Sequence, residues 1–195
     1  MKQLNRINQH FSTSVELITQ AMPILSPLIA QAGQIMADCL QQQYKILSCG
    51  NGGSAAQAQH FSAEIINRFE IERRALGAIA LTTDSSILTS IANDYNYENI
   101  FSRQINGLGK KGDILLAITT SGSSPNVLKA ISAAQSQNML IILLNGGDGS
   151  KAANLLKKSD IELRVPSNST ARIQEIHLLI IHCLCDIIDQ SISVF

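Results

Sequence analysis

Charge is scarce in this 195-residue sequence: Asp, Glu, Lys and Arg make up only 15% of it, against 45% hydrophobic residues. Neither sign dominates, because 15 basic residues face 15 acidic ones. That balance excludes the strong positive field that nucleic-acid binding draws on. The local basic pairs Lys110-Lys111 and Lys157-Lys158 fall in loop-like stretches and read as solvated corners. So lean a charge complement suggests that more surface is buried between subunits.

Cysteine is also sparse. Cys39, Cys49, Cys183 and Cys185 show no CxxC spacing, which argues against a disulfide scaffold and against a zinc cluster of that type. Cys49 sits in an apolar run, and Cys183 and Cys185 sit in an apolar helical stretch. They read as buried free thiols of a reducing cytoplasm. No segment reaches 18 uninterrupted apolar residues, so a membrane span is not expected. The opening MKQLNRINQHFS lacks the apolar stretch of a signal peptide. With no repeat and no low-complexity linker, the length suits one domain that buries about 70% of its unfolded surface.

What is present is a change of texture near Tyr44. Residues 1–43 read as two helices, the first carrying Phe11, Val15, Leu17, Ile18 and Met22, with Pro23 and Pro27 breaking the run. The second, from about Ser26 to Gln43, places Leu28, Ile29, Ile35, Met36 and Leu40 on one side. Beyond Tyr44, short apolar runs alternate with helical stretches: 45–50, 76–83, 113–120, 140–146 and 161–166. All but the last are nearly continuous in apolar or small residues, as parallel strands covered on both faces require. The chain closes with TARIQEIHLLIIHCLCDIIDQSISVF, a helix apolar almost all round. The pattern predicts a three-layer α/β/α domain with a helical N-terminal extension.

Ligands of open parallel sheets sit outside the carboxyl ends of the strands. After the first strand comes GNGGSA (50–55), which satisfies G-x-G-x-x-A. A dinucleotide site also needs an acidic residue about twenty positions on. The acid that ends the next strand, Asp84, lies too far away. After the third strand comes TTSGSSPNV, with five hydroxyls at Thr119, Thr120, Ser121, Ser123 and Ser124. Gly122 permits a tight turn and Pro125 suits the first turn of a helix. Free amides at that helix start, joined by hydroxyls, make a phosphate seat without a cation; the plainer reading is a Ser/Thr helix cap. A third strand-end loop, IANDYNYENIF (91–101), offers Asn93 and Asp94, either as an ordinary turn or as sugar contacts.

His60 and Glu64 stand four apart and share one face of the helix that follows the glycines. The pair suits metal ligation, proton transfer, or simply a surface ion pair. Gln174, His177 and His182 punctuate the last helix, where a histidine is more often a hydrogen-bonded core residue than a ligand. Gln174 and His182 are separated by roughly 12 Å along the axis and about 80° around it. Spacing alone therefore gives a four-ligand site only weak support.

Taken together, GNGGS, HFSAE, NDY, TTSGSS and RIQEIHLLIIH resemble the sugar isomerase (SIS) family, in its phosphoheptose isomerase branch, from end to end. The resemblance implies a five-stranded parallel sheet between helices and a homotetramer with active sites at subunit interfaces. It implies zinc, one per subunit, on His60, Glu64, Gln174 and His182, and a catalytic pair in Glu64 and His182. Phosphate contacts map to Thr119, Thr120, Ser121 and Ser124. Sugar contacts map to Asn51, Gly52, Gly53, Asn93, Asp94 and Gln174, with Glu64 at the reacting carbons and Arg68 as a further phosphate or sugar contact. Thr119 and Ser123 depart from the Ser and Asn more usual in these isomerases.

The implied reaction converts sedoheptulose 7-phosphate to D-glycero-D-manno-heptose 7-phosphate, for lipopolysaccharide core, in the cytoplasm. The implied partners are the sugar phosphate and other copies of the chain, with no membrane and no direct nucleic acid. NRFE (67–70) and HCLCDIID (182–189) also resemble the DnaA initiator-associating protein, a non-catalytic relative that binds the replication initiator DnaA. That relative lacks the carboxylate at the position of Glu64, so Glu64 favours the enzyme.

Overall fold

A computed structural model describes residues 1–192. All five expected strands form: β1 (Ile46–Cys49), β2 (Ala78–Ala80), β3 (Ile114–Ile118), β4 (Leu140–Gly146) and β5 (Ile161–Val165). They make one parallel sheet in the order β2-β1-β3-β4-β5. Side chains alternate across it. Ile46, Leu116, Ile142 and Leu163 point into one apolar cluster, while Leu47, Leu115, Ala117 and Ile141 point into another. Each face is therefore sealed by helices, which explains the unbroken apolar strand sequences.

The first face is covered by α1 (Lys2–Gln41), α2 (Gly53–Ile66) and α7 (Thr170–Ile192). The second is covered by α3 (Ser85–Asp94), α4 (Ser102–Leu108), α5 (Pro125–Ser136) and the short α6 (Ser150–Ala153). The expectation of two N-terminal helices fails, since α1 runs 40 residues straight through Pro23 and Pro27. Both prolines lie on the exposed side, so the carbonyls they leave unbonded face water. Ser26 Oγ donates to the Met22 carbonyl at 2.7 Å and Thr19 Oγ1 to the Val15 carbonyl at 2.9 Å. On the opposite side Leu17, Ala21, Leu25, Met36 and Leu40 are buried. At about 1.5–3 kcal/mol for each large side chain, that seam outweighs the ~3 kcal/mol penalty of each proline. Gly33 lets α1 approach α7 closely, because a Cβ there would lie 2.7 Å from Ile187.

The stretch expected as a third strand-end loop is also different. Asp84 caps α3 by accepting from the Ile87 N–H at 2.9 Å, and the helix continues through Asn93 and Asp94. Leu88 and Ile91 hold its apolar side against the second core cluster. The helical repeat of those residues prevails over the turn preference of Asn-Asp. Of the thiols expected to be buried, Cys49 and Cys185 are and Cys183 is half-buried. Ser193–Phe195, the end of the expected last helix, lie outside the described residues.

Candidate active site

The strand order reverses between β1 and β3, and the crevice of an open sheet opens at such a point. Two loops meet there. Asn51-Gly52-Gly53-Ser54 forms a tight turn closed by Ser54 N–H to the Asn51 carbonyl at 2.9 Å. Gly52 has φ 54° and ψ −121°, the first central position of a type II′ turn, which a side chain resists. Gly50 packs so tightly that a Cβ would fall 2.9 Å from the Ile118 carbonyl of β3.

The second loop, 119–124, is braced from within. Thr119 is buried, and its Oγ1 accepts from Gly122 N–H at 3.2 Å. Ser121 Oγ accepts from Ser123 N–H at 3.3 Å. Gly122, at φ 63°, approaches the Gly149 carbonyl, and Asn145 bonds that same carbonyl at 3.1 Å. Ser124 begins α5 without a capping bond from its hydroxyl, and Pro125 follows at the first turn. Ser121 is exposed, and Thr120 and Ser124 are half-buried. Thr119 instead faces the protein.

A buried residue that sequence reasoning missed joins the two loops. Asn126 exchanges two amide bonds with Asn51, at 2.9 and 2.8 Å, and Tyr97 donates to Asn51 Oδ1 at 3.3 Å. Asn126 falls just after the Ser/Thr cluster, where Asn has no role in capping. That misplacement was its only signal.

Along α2, Gly53, Gln57, His60 and Glu64 form a stripe at helical spacing that meets α7. His60 Nε2 lies 3.3 Å from Glu64 Oε1 and 3.1 Å from Nε2 of His182 on α7. Phe69 stacks on the His182 ring, with centroids 5.6 Å apart and planes 24° apart. Gln57 Nε2 donates to the Gln174 carbonyl at 2.7 Å, while Gln57 Oε1 is buried without a partner. The Gln174 side chain rests on Gly53, where a Cβ would come within 2.5 Å of it. No hydrogen bond joins it to His60, Glu64 or His182. The structure thus brings together His60, Glu64 and His182, and sets Gln174 two helical turns away beside the glycine turn.

Zn–N bonds of about 2.0–2.1 Å give a tetrahedron whose edges are about 3.3 Å. The His60–His182 and His60–Glu64 separations match two such edges, and imidazole nitrogen with carboxylate oxygen is a donor set zinc accepts. The three groups form a chain through His60. Among the described residues no three His, Cys, Asp or Glu side chains surround a common point.

Other expected contacts lie further out. Asn93 and Asp94 are exposed at the end of α3 and bonded to each other at 2.9 Å. Arg68 lies past the end of α2 and meets Glu72 at 3.4 Å on the surface. His177 is a core residue, as expected: it is fully buried, with Nε2 3.0 Å from the Asn145 carbonyl of β4. Burial lowers its pKa to about 4, although the bond to Asn145 works in the other direction.

The SIS domain profile matches residues 9–146. The chain is 59% identical to the phosphoheptose isomerase of Chromohalobacter salexigens over 188 residues, 96% of this chain and 95% of that one. It is 57% identical to the Coxiella burnetii phosphoheptose isomerase over 192 residues, 98% and 96% of the two chains. The solved phosphoheptose isomerase from Francisella tularensis superposes with a TM-score of 0.95 at 48% identity, covering 97% of this chain and 100% of that one. The one from Neisseria gonorrhoeae gives 0.92 at 47% identity, with 96% and 99% covered. The fold is that of an open parallel-sheet protein with helices on both faces, and the chain belongs to the SIS domain family, in its phosphoheptose isomerase branch.

Proposed function

We propose that the chain converts sedoheptulose 7-phosphate to D-glycero-D-manno-heptose 7-phosphate through an enediol, supplying the heptose of lipopolysaccharide core. The observation that carries this reading is the convergence of Glu64, His60 and His182 from two helices beside a phosphate-type strand end. Glu64 removes the carbon-bound proton, and His182 is its acid–base partner across the C1–C2 bond. The phosphate sits at the start of α5, against the hydroxyls of Thr120, Ser121 and Ser124. Thr119 is the inward member of that set and shapes the loop. Asn51, Gly52, Gly53, Asn93, Asp94 and Gln174 are assigned to the sugar, with Arg68 at the rim. Binding the remote phosphate orients the reacting end, so its binding energy lowers the barrier.

A zinc ion is assigned to His60, Glu64 and His182, with Gln174 as the fourth ligand. When bound it polarises the carbonyl at the reacting end. The reading of the chain as a DnaA-binding protein turned on a missing carboxylate, and Glu64 stands in contact with His60.

We assign a homotetramer with active sites at subunit interfaces. It is supported by an exposed apolar stripe on α1, from Leu4 and Ile7 through Phe11 and Val15 to Met22. A groove of about 240 Å³ between α1 and α7 continues it, lined by Met22, Leu25, Leu179 and Cys183 among others. The assigned compartment is the cytoplasm, supported by four free cysteines. No described helix is long and apolar enough to cross a membrane.

The test is to incubate the purified protein with sedoheptulose 7-phosphate, with added zinc and with chelator. Heptose 7-phosphate is expected. Absence of product under every metal condition contradicts the proposal.

A further inference from the structure

Glu64 and His182 come from different helices, and something must fix one against the other. The segment 67–75, which leads from α2 toward β2, holds a buried ion pair to α7. Arg73 Nε lies 2.6 Å from Asp189 Oδ1, with the two side chains 2% and 1% exposed. The rest of the guanidinium fork bonds mainly to the end of α2. Nη2 donates to the carbonyl of Glu64 itself at 2.9 Å, and Nη1 to the carbonyls of Ile65 and Arg74 at 2.9 and 3.1 Å. The last carbonyls of a helix have no partner within it, so Arg73 closes the end of α2 at the residue that carries the proposed base.

Asp189 completes the device from the other side. Its Oδ2 accepts the N–H groups of Glu70 and Ile71, at 3.0 and 3.1 Å. Those amides directly follow Phe69, the ring stacked on His182. Asp189 is also seven residues beyond His182 on α7, two turns along and nearly on the same side. One carboxylate thus ties down the end of α2 beneath Glu64 and the backbone that aims Phe69 at His182. This also gives NRFE and HCLCDIID a shared role, since the clasp joins the stretches they begin.

We infer that Arg73 and Asp189 are positioning residues that set Glu64 against His182 through a clasp between the end of α2 and α7. The assignment rests on the isomerase reading given above. Lysine cannot replace Arg73, because an ammonium lacks the planar fork that reaches Asp189 and the α2 carbonyls together.

Removing one partner alone leaves a buried charge, so the informative variant replaces both: Arg73→Met with Asp189→Leu. Apolar replacement of a buried pair is commonly tolerated by the fold. The double variant is expected to keep its circular dichroism and its assembly. Turnover per folded subunit is expected to fall roughly 10–100-fold, as when a supporting contact is lost or a group moves by about 1 Å. The KM for sedoheptulose 7-phosphate should hardly change, since the phosphate seat lies on other elements. In its crystal structure Glu64 should be withdrawn from His60, and Phe69 should have left the His182 ring. Wild-type turnover in the folded double variant, or an unmoved Glu64–His60–His182 cluster, overturns the inference. A wild-type protein that fails to isomerise the sugar phosphate counts against the functional reading instead, and the crystal structure still decides on the clasp.

Discussion

The hydroxyl loop at 119–124 and the seam between α2 and α7 are built on opposite plans. The loop is local: Thr119 braces Gly122 three residues away, and Ser121 braces Ser123 two residues away. The seam is assembled across the chain, with His60 meeting His182 over 122 positions and Arg73 meeting Asp189 over 116. Short-range bonds preform the loop from backbone and hydroxyls, with no charged side chain among them. Long-range contacts bring titratable groups together, and they hold only while both helices stay docked.

That contrast makes the seam the acid-sensitive half. His177 docks α7 onto β4 as a neutral ring, because its folded pKa is depressed to about 4 from an ordinary 6.5. A group depressed in this way contributes stability that is complete above pH 6.5 and is lost as pH falls toward 4. In that window the unfolded chain binds a proton that the folded chain refuses. The loss amounts to roughly 3 kcal/mol by pH 4. Urea unfolding at pH 7 and pH 5 measures it, and His177→Gln should flatten the dependence. An equal pH slope in that variant removes His177 from this role. Asp189 adds an effect at lower pH. Burial pushes its pKa up, but hydrogen bonds from Arg73, Ile71 and Glu70 and the guanidinium charge hold it below 3.8. Its contribution is therefore present at neutral pH and lost only below the usual carboxylate range.

Within the loop the same contrast appears between neighbours. Ser124 makes no capping bond, so its hydroxyl suits the proposed phosphate contact. Ser124→Ala should leave the melting temperature unchanged while KM rises roughly 10-fold or more, the scale of a lost bond to a charged group. Thr119 spends its oxygen on Gly122 N–H. Thr119→Val should therefore cost about 1 kcal/mol of stability, with a smaller change in KM. Denaturation and steady-state kinetics on both variants decide. The reverse pattern would exchange their roles.

The two plans also explain what was legible in the sequence. All five strands and the glycine turn were, because apolar runs between helical stretches and a strand–Gly–helix junction are local patterns. The His60–Glu64 pair was visible through its i, i+4 spacing, yet its meaning was open until His182 arrived from α7. Phe69 and Asp189 lie within NRFE and HCLCDIID, but nothing local gave them, or Arg73, a role, because their partners lie across the fold. Asn126 was hidden for the same reason, since its partner Asn51 belongs to another strand end. Local reading also misled twice. Two prolines suggested a break in α1 that burial against α7 overrides, and Asn93-Asp94 suggested a loop where α3 continues. Gln174 was marked by the resemblance as a ligand together with His182, and its side chain lies against Gly53, eight residues before His182 along α7.

The seam is assigned proton transfer, with Glu64 as the base. The most direct measurement of this is turnover of sedoheptulose 7-phosphate by wild-type protein and by Glu64→Gln, with circular dichroism and assembly state recorded for both. Glutamine keeps the shape of the side chain but cannot accept the proton. An intact fold is expected, with a kcat lower by roughly 10²–10⁴-fold, the usual contribution of a general base. A folded Glu64→Gln protein that turns over as fast as the wild type would contradict the assignment.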